Sequence, residues 1–248
     1  MMQTAVHNPP VSLVRPALGH AALLIVVLML GTTTESAWAQ PGKLLPVDDA
    51  RKDPSLAQFR NRLMDAARKH DLDYVLSILT PDVVNSFGGD EGIEGFKRHW
   101  ELAGGNTRLW DTMLSVLSMG GTLYVTPDAA GVWVEAEFWA PYVYSRWPNE
   151  FDSFDYGAIT GEAVKVRSRP SRRAPVVTTL SYDIVKMLPE AVPDEEAKDQ
   201  TASWVKIVTP GGKEGYVASR FVRGPIDYRL GLVKRNGKWL IKTFVAGD

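Results

Sequence analysis

The chain has 248 residues, is 45% hydrophobic and 23% charged, and carries a formal net charge of −1. That balance supplies no global basic excess for holding polyanions, and the absence of cysteine removes disulfides and thiolate chemistry. The length allows one large domain or two small ones.

At the N-terminus, Arg15 precedes the apolar run ALGHAALLIVVLMLG, after which the polar TTTES leads to Ala37-Trp38-Ala39 and then Gln40. Basic residue, apolar core and small-x-small site stand in the order of a secretory signal. The core falls short of the roughly 20 apolar residues of a membrane span, and no cysteine follows it for lipid attachment. The expectation is a signal peptide over residues 1–39, cleavage between Ala39 and Gln40, and a periplasmic or secreted mature chain with no membrane span.

Residues 40–52 are polar, with Pro and Gly, and read as a flexible lead-in. Asp53-Pro54 is a helix start, Asp as N-cap and Pro in the first turn. Leu56, Phe59, Leu63 and Ala67 then mark one helical face ending near His70. Asp71 or Asp73 caps a second helix through Tyr74, Val75, Ile78 and Leu79, with Pro81 ending it. Asp90 begins a third, with Ile93, Phe96, Trp100 and Leu102 inward. A fourth runs from about Arg108 to Leu117. The period then changes to two. Thr122–Thr126 and Val132–Trp139 read as strands joined by PDAAG. In the second, Val132, Val134, Ala136 and Phe138 share one face, and Trp133, Glu135, Glu137 and Trp139 the other. Residues 141–156 are rich in aromatics and acids and read as an ordered connection. Short β segments fill 158–222. The C-terminal DYRLGLVKRNGKWLIKTFVAG is a hairpin signal around Asn236-Gly237, a pair suited to a type I′ turn.

The pieces VKVRSRPS at 164–171, VVTTL at 176–180, IVKM at 184–187, WVKI at 204–207 and GYVASRFV at 215–222 resemble a bacterial SH3 domain. Val164, Val166, Val177, Leu180, Ile184, Val205, Ile207 and Val217 would fill its small barrel. Gly215 would permit close strand approach or a bulge. The chain departs from the family's pattern with Arg169 before Pro170, with Ser181-Tyr182-Asp183 in a turn that often holds Gly, and with a long acidic connection over 188–203. The resemblance implies a targeting or binding module for the cell envelope, often recognising peptidoglycan or peptide. Trp204 and Tyr216 fall on the family's characteristic aromatic positions, where they serve either as core or as ligand contacts. Tyr182 is a further candidate contact.

The stretch AARKHDLDYVLSILTPDVVNSFGGDEGIEGFKRHW resembles the opening of nuclear-transport-factor-2-like α+β domains. Those end in long antiparallel strands, and only two strands precede residue 157. The hairpin 227–245 would supply the missing pair. The expected fold class is therefore α+β: N-terminal helices packed on an antiparallel sheet (residues 53–156, completed by 226–248), with a small all-β SH3-like barrel inserted over 157–225.

Strong catalytic signatures such as GxSxG, HExxH, Walker loops and GxGxxG are missing. His70 and His99 do not have the spacing of a compact metal motif and read as helix-end or surface residues. Glu135 and Glu137 lie two strand positions apart, roughly 6–7 Å between Cα atoms. They are either a carboxylate pair on a sugar-binding face flanked by Trp133 and Trp139 or tolerated charges on a solvent face. The cluster Trp139, Tyr142, Tyr144, Trp147, Phe151 and Phe154 is the densest aromatic feature. It is either a recognition patch for glycan or peptide or packing at the junction of the two modules. Five cations (Lys165, Arg167, Arg169, Arg172 and Arg173) crowd the first barrel strand and loop. Residues 157–225 as a whole hold 11 Lys or Arg against 8 Asp or Glu, too balanced for a phosphate-binding module. The partners expected for Arg172 and Arg173 are the acids of 150–155 or 190–199, or an anionic envelope polymer, and not nucleic acid. The favoured expectation is an exported, non-catalytic binding protein without cofactor or metal. Its barrel would dock an envelope polymer, a peptide or another envelope protein. The alternatives are an envelope enzyme with a pocket in the α+β module and a structural protein–protein interaction module.

Overall fold

The computed structural model describes residues 42–105, 107–127, 133–193 and 203–247. Residues 1–41, where a signal peptide is expected, residues 128–132 (including Val132) and residues 194–202 of the acidic connection lie outside the described residues, as do the side chains of Trp133, Val134 and Glu135.

Helix α1, Pro54–Lys69, begins as expected: the Asp53 carboxylate accepts from the amides of Ser55 and Leu56, and Pro54 occupies the first turn. It ends at His70, whose φ of 55° is left-handed. Helix α2, Leu72–Ser77, is capped by Asp71. It stops before the predicted end because Leu79 opens strand β1, Leu79–Val84. Pro81 sits inside that strand, which is tolerated because β1 is an edge strand with one row of its amides unused. Helices α3, Gly92–His99, and α4, Arg108–Ser118, follow. Strands β2, Thr122–Pro127, and β3, Trp133–Ala140, then form an antiparallel pair.

After β3 the chain leaves this sheet through a short helix α5, Tyr142–Ser145, and the connection to residue 155. Strands β4 (Tyr156–Ile159), β5 (Val164–Arg167), β6 (Val176–Leu180), β7 (Ile184–Pro193), β8 (Ser203–Val208), β9 (Glu214–Ala218) and β10 (Val222–Arg223) build a second sheet. Its order is β10-β4-β7-β8-β9-β5-β6. Ile159, Val164, Val166, Leu180, Val185, Ile207 and Val217 are buried together as its core. A Cβ on Gly215 would lie 2.5 Å from Val166 Cγ1 and 2.9 Å from the Arg167 carbonyl, so β5 and β9 approach closely only because this residue is glycine.

Strands β11, Arg229–Arg235, and β12, Lys238–Val245, return to the first sheet. Asn236 and Gly237 turn between them at φ of 50° and 74°, the positive values a type I′ turn needs. Leu230 lies opposite Ala140 and Leu232 opposite Phe138, giving the order β1-β12-β11-β3-β2. The fold is thus α+β with the SH3-like barrel inserted between β3 and β11. Strand β1 joins this sheet parallel to β12.

The helix-facing side of the first sheet is filled. Leu56, Leu63, Phe96, Trp100, Met113, Phe138, Ile241 and Phe244 form one core. Trp100 stacks on Phe244 with centroids 4.9 Å apart.

Residues 42–52 are not a loose lead-in. The Leu44 amide donates to the Tyr182 carbonyl, the Ile184 amide donates to the Gly42 carbonyl, and Lys43 pairs with Asp183 at 3.0 Å. Asp48 bridges to Gly121, and a 3-10 turn over Asp49–Lys52 buries Ala50 in the first core. The segment is therefore a strap across both modules. Leu44 packs with Tyr142, Val143, Ala158 and Ile184 in a third, junctional cluster. The sparse apolar residues Leu44, Val47 and Ala50 are what hold it down.

Burial pushes the Asp53 carboxyl up, but hydrogen bonds from Ser55 and Lys234 and from the Ser55 and Leu56 amides outweigh it and bring its pKa down to about 2. The stabilisation is therefore complete above the unfolded carboxylate range and is lost as pH falls through that range towards 2. Asp53→Ala is expected to cost about 1–2 kcal/mol at pH 7. Urea unfolding of the two proteins between pH 7 and pH 2.5 should show this difference shrinking at the acid end.

Candidate functional site

Two concave surfaces carry the residues singled out in the sequence. The first lies on the barrel. The loop after β5 is compact: the Ser168 amide donates to the Pro175 carbonyl, the Ala174 amide donates to the Ser171 carbonyl, and Ser171 is buried. The Arg167 guanidinium donates to the Ala174 carbonyl at 2.6 Å. The loop thereby holds Arg172 out at the rim of a groove of about 350 Å³. Lys165, Arg167, Arg172 and Arg220 supply four cations along it, with Glu162 as the acid among its lining residues. Arg220 lies 4.7 Å over the Phe221 ring. Trp204 forms part of the wall but is only 3% exposed, so it is chiefly a barrel residue. Tyr216 is partly exposed on β9, opposite Arg167 on one side and Lys206 on the other. Arg173 is not among the groove residues. Residues 162–223 match the bacterial SH3 domain family.

The bacterial SH3 domain therefore takes in β5 to β10, with β4 entering just before it. Comparison with curated proteins and with solved structures gives no match. Of the acids expected to meet the domain's basic loop, Asp155 faces Lys186 at 3.7 Å, and the Asp152 carboxylate caps the amides of Phe154 and Asp155. Residues 194–199 lie outside the described residues. Tyr182 stands in a left-handed conformation, φ 59°, with its carbonyl holding the strap, and is not among the groove residues.

The second surface is a pocket of about 530 Å³ on the side of the first sheet away from its helices. Alternation along β3 puts Phe138 into the core and Glu137 and Trp139 into this pocket. The connection after β3 adds Tyr144, Ser145, Trp147, Asn149 and Ser153, and the return segment adds Pro225, Ile226 and Arg229. Trp139, Tyr144 and Trp147 thus come together as the aromatic density of the sequence suggested. Tyr142 does not join them. It is 2% exposed in the junctional cluster, its hydroxyl has no hydrogen-bond partner, and burial, with the nearby Tyr182, pushes its pKa up to about 12. Consecutive residues of one helical turn point to different sides, so Tyr142 fills the junction while Tyr144 faces the pocket. Phe151 packs on Trp147 and Tyr156, and Phe154 is exposed.

The Glu137 carboxylate is bound at one oxygen by Lys242 at 3.1 Å and at the other by the Trp139 indole at 3.2 Å. The Trp147 indole donates to the Phe151 carbonyl at 2.9 Å. Both tryptophans are thereby fixed in orientation. Arg229 escaped the sequence reading. It is only 6% exposed, and its guanidinium lies 4.8 Å over Tyr144 and 5.4 Å over Phe87. His70 stacks on Trp110, and His99 shares a hydrogen bond with Tyr228 at 3.1 Å, with burial lowering its pKa. Both serve helix-end packing, and neither lines either concave surface.

Gly231 sets the depth of the pocket. A Cβ there would sit 2.8–3.1 Å from three atoms of the Trp139 six-membered ring. Gly231→Ala should displace that indole at a cost of about 1–3 kcal/mol. The change is measurable as a lower melting temperature together with altered near-ultraviolet circular dichroism.

Proposed function

We propose that this is an exported, non-catalytic binding protein whose bacterial SH3 domain docks a cell-envelope component, peptidoglycan or a peptide, through the basic groove beside Trp204. The N-terminal order of basic residue, apolar core and Ala37-Trp38-Ala39 supports export. Among the described residues no helix is long and apolar enough to cross a membrane.

The observation that carries the reading is the groove itself. Four cations surround one acid on a surface backed by the barrel's tryptophan. An extended ligand bearing carboxylates, such as the peptide stems of peptidoglycan or an acidic peptide, matches that charge and shape. The cations belong to one local surface of a nearly neutral chain, so the groove favours a short, spaced set of anions over a continuous phosphate backbone.

Arg172 and Arg220 are both exposed, so removing their charges should leave the fold intact. Arg172→Gln with Arg220→Gln is expected to weaken retention on purified peptidoglycan by about tenfold, the effect of one lost charge-assisted contact of about 1.5 kcal/mol. Co-sedimentation at several ionic strengths measures this. Failure of the parent protein to sediment, with a known envelope binder retained alongside, would reject the docking role.

A further inference from the structure

We propose that the pocket between β3 and the connections to the barrel is a second binding site, and that it takes a sugar acid. In this arrangement the pyranose ring lies against Trp139 and Trp147 and its carboxylate is held by Arg229. The site belongs to the α+β module and does not depend on the docking role of the SH3 domain.

Arg229 is the observation that points to a ligand. Its side chain is more than nine-tenths buried, and it lines the pocket. One nitrogen, Nη1, donates to the Gly247 carbonyl at 2.7 Å. Tyr144 and Phe87 stack against the guanidinium. Among the described residues no carboxylate pairs with it. A buried cation without a counter-ion is costly, and the guanidinium fork fits a carboxylate with two parallel hydrogen bonds. The acid in the same pocket, Glu137, is already held by Lys242 and Trp139. A ligand carboxylate would supply the counter-charge that none of the described residues provides.

The rest of the lining selects the body of that ligand. Trp139, Tyr144 and Trp147 offer ring surface, and the indole N–H groups of both tryptophans are already used within the protein. Ser145, Asn149, Ser153 and Glu137 add hydrogen-bonding groups around them. A flat apolar ligand would desolvate those groups without pairing them. A pyranose offers a C–H face to the aromatic rings and hydroxyls to the polar atoms. The volume of about 530 Å³ lies within the ordinary range of small-molecule sites.

The test is calorimetric titration of the purified protein with two matched pairs. D-glucuronic acid and D-glucose differ in a carboxylate on the ring carbon C5. N-acetylmuramic acid and N-acetylglucosamine differ in a lactyl carboxylate on C3. The acid of at least one pair should bind about tenfold or more tighter than its neutral partner, and the pair that discriminates tells which sugar acid the pocket reads. Arg229→Gln should abolish that preference. Because Arg229 is buried, a thermal melt must first show the variant folded, and Trp147→Ala serves as the second variant, expected to weaken acid and neutral sugar alike. Arg172→Gln with Arg220→Gln should leave the titration unchanged. Equal or absent binding within both pairs overturns the proposal. So does a preference that survives in folded Arg229→Gln, or one that is lost in the double barrel variant. Equally tight binding of D-alanyl-D-alanine, a carboxylate without a sugar ring, also overturns it.

Discussion

The pairing of Leu230 with Ala140 is the constraint on which the rest of the structure depends. It closes the excursion that contains the whole SH3 domain, so the chain leaves and rejoins the first sheet at one place. Closing so long a loop costs entropy only slowly with length, and the antiparallel ladder from Leu230 to Val233 offsets it. Both connections must then lie side by side. The strap over 42–52 crosses the same region and touches each sheet. Its Leu44 joins Tyr142, Val143, Ala158 and Ile184. The two modules are therefore held by a shared apolar cluster and by backbone bonds as well as by their two covalent connections.

The same constraint produces the aromatic pocket. Its walls are the end of β3, the outgoing connection and the incoming one, the three segments that the pairing forces together. Strand alternation does the sorting: Leu230 enters the core while its neighbour Arg229 enters the pocket, and Phe138 and Trp139 divide in the same way. Gly231 leaves room for the Trp139 indole on the pocket face of β11, where any side chain would collide. The helix-facing side of the sheet, by contrast, is packed with Trp100, Phe96 and Phe244. The face that folds the module and the face that can receive a ligand are opposite sides of one sheet.

Much of this was legible in the sequence because it rests on local chemistry. Asp53-Pro54 starts a helix, Asn236-Gly237 turns a hairpin, and the segments VKVRSRPS and GYVASRFV carry the SH3 domain, each with short-range causes. Of the aromatic residues over 139–147, Trp139, Tyr144 and Trp147 come together on one surface. What was not legible depends on contacts distant in the chain. Tyr142 and Tyr144 are indistinguishable by composition, and only the packing of Leu44 and Ile184 decides which one is buried. Pro81 reads as a helix stop, yet an edge position lets it sit in a strand. Arg229 reads as an ordinary strand cation, and its burial comes from Tyr144, Phe87 and the Gly247 carbonyl, which lie far from it in sequence or on another strand. The strap was missed because its few apolar residues, Leu44, Leu45, Val47 and Ala50, carry no period.

The two concave surfaces differ in the kind of electrostatics they can offer. Arg172 and Arg220 are exposed at the groove of the SH3 domain, where each contact with an anion is screened by salt and worth little alone. Several must act together, which suits a polymer or an extended peptide with repeated charges. Arg229 is enclosed by two aromatic rings and a backbone carbonyl. Its field is less screened, and its desolvation cost has already been met in the folded protein, so one well-placed carboxylate gains more there than at the rim of the barrel. A groove with several cations, two of them exposed, and a pocket with one buried arginine are complementary means of recognition. The first tolerates variation along a chain of similar groups, and the second discriminates one functional group on a small body.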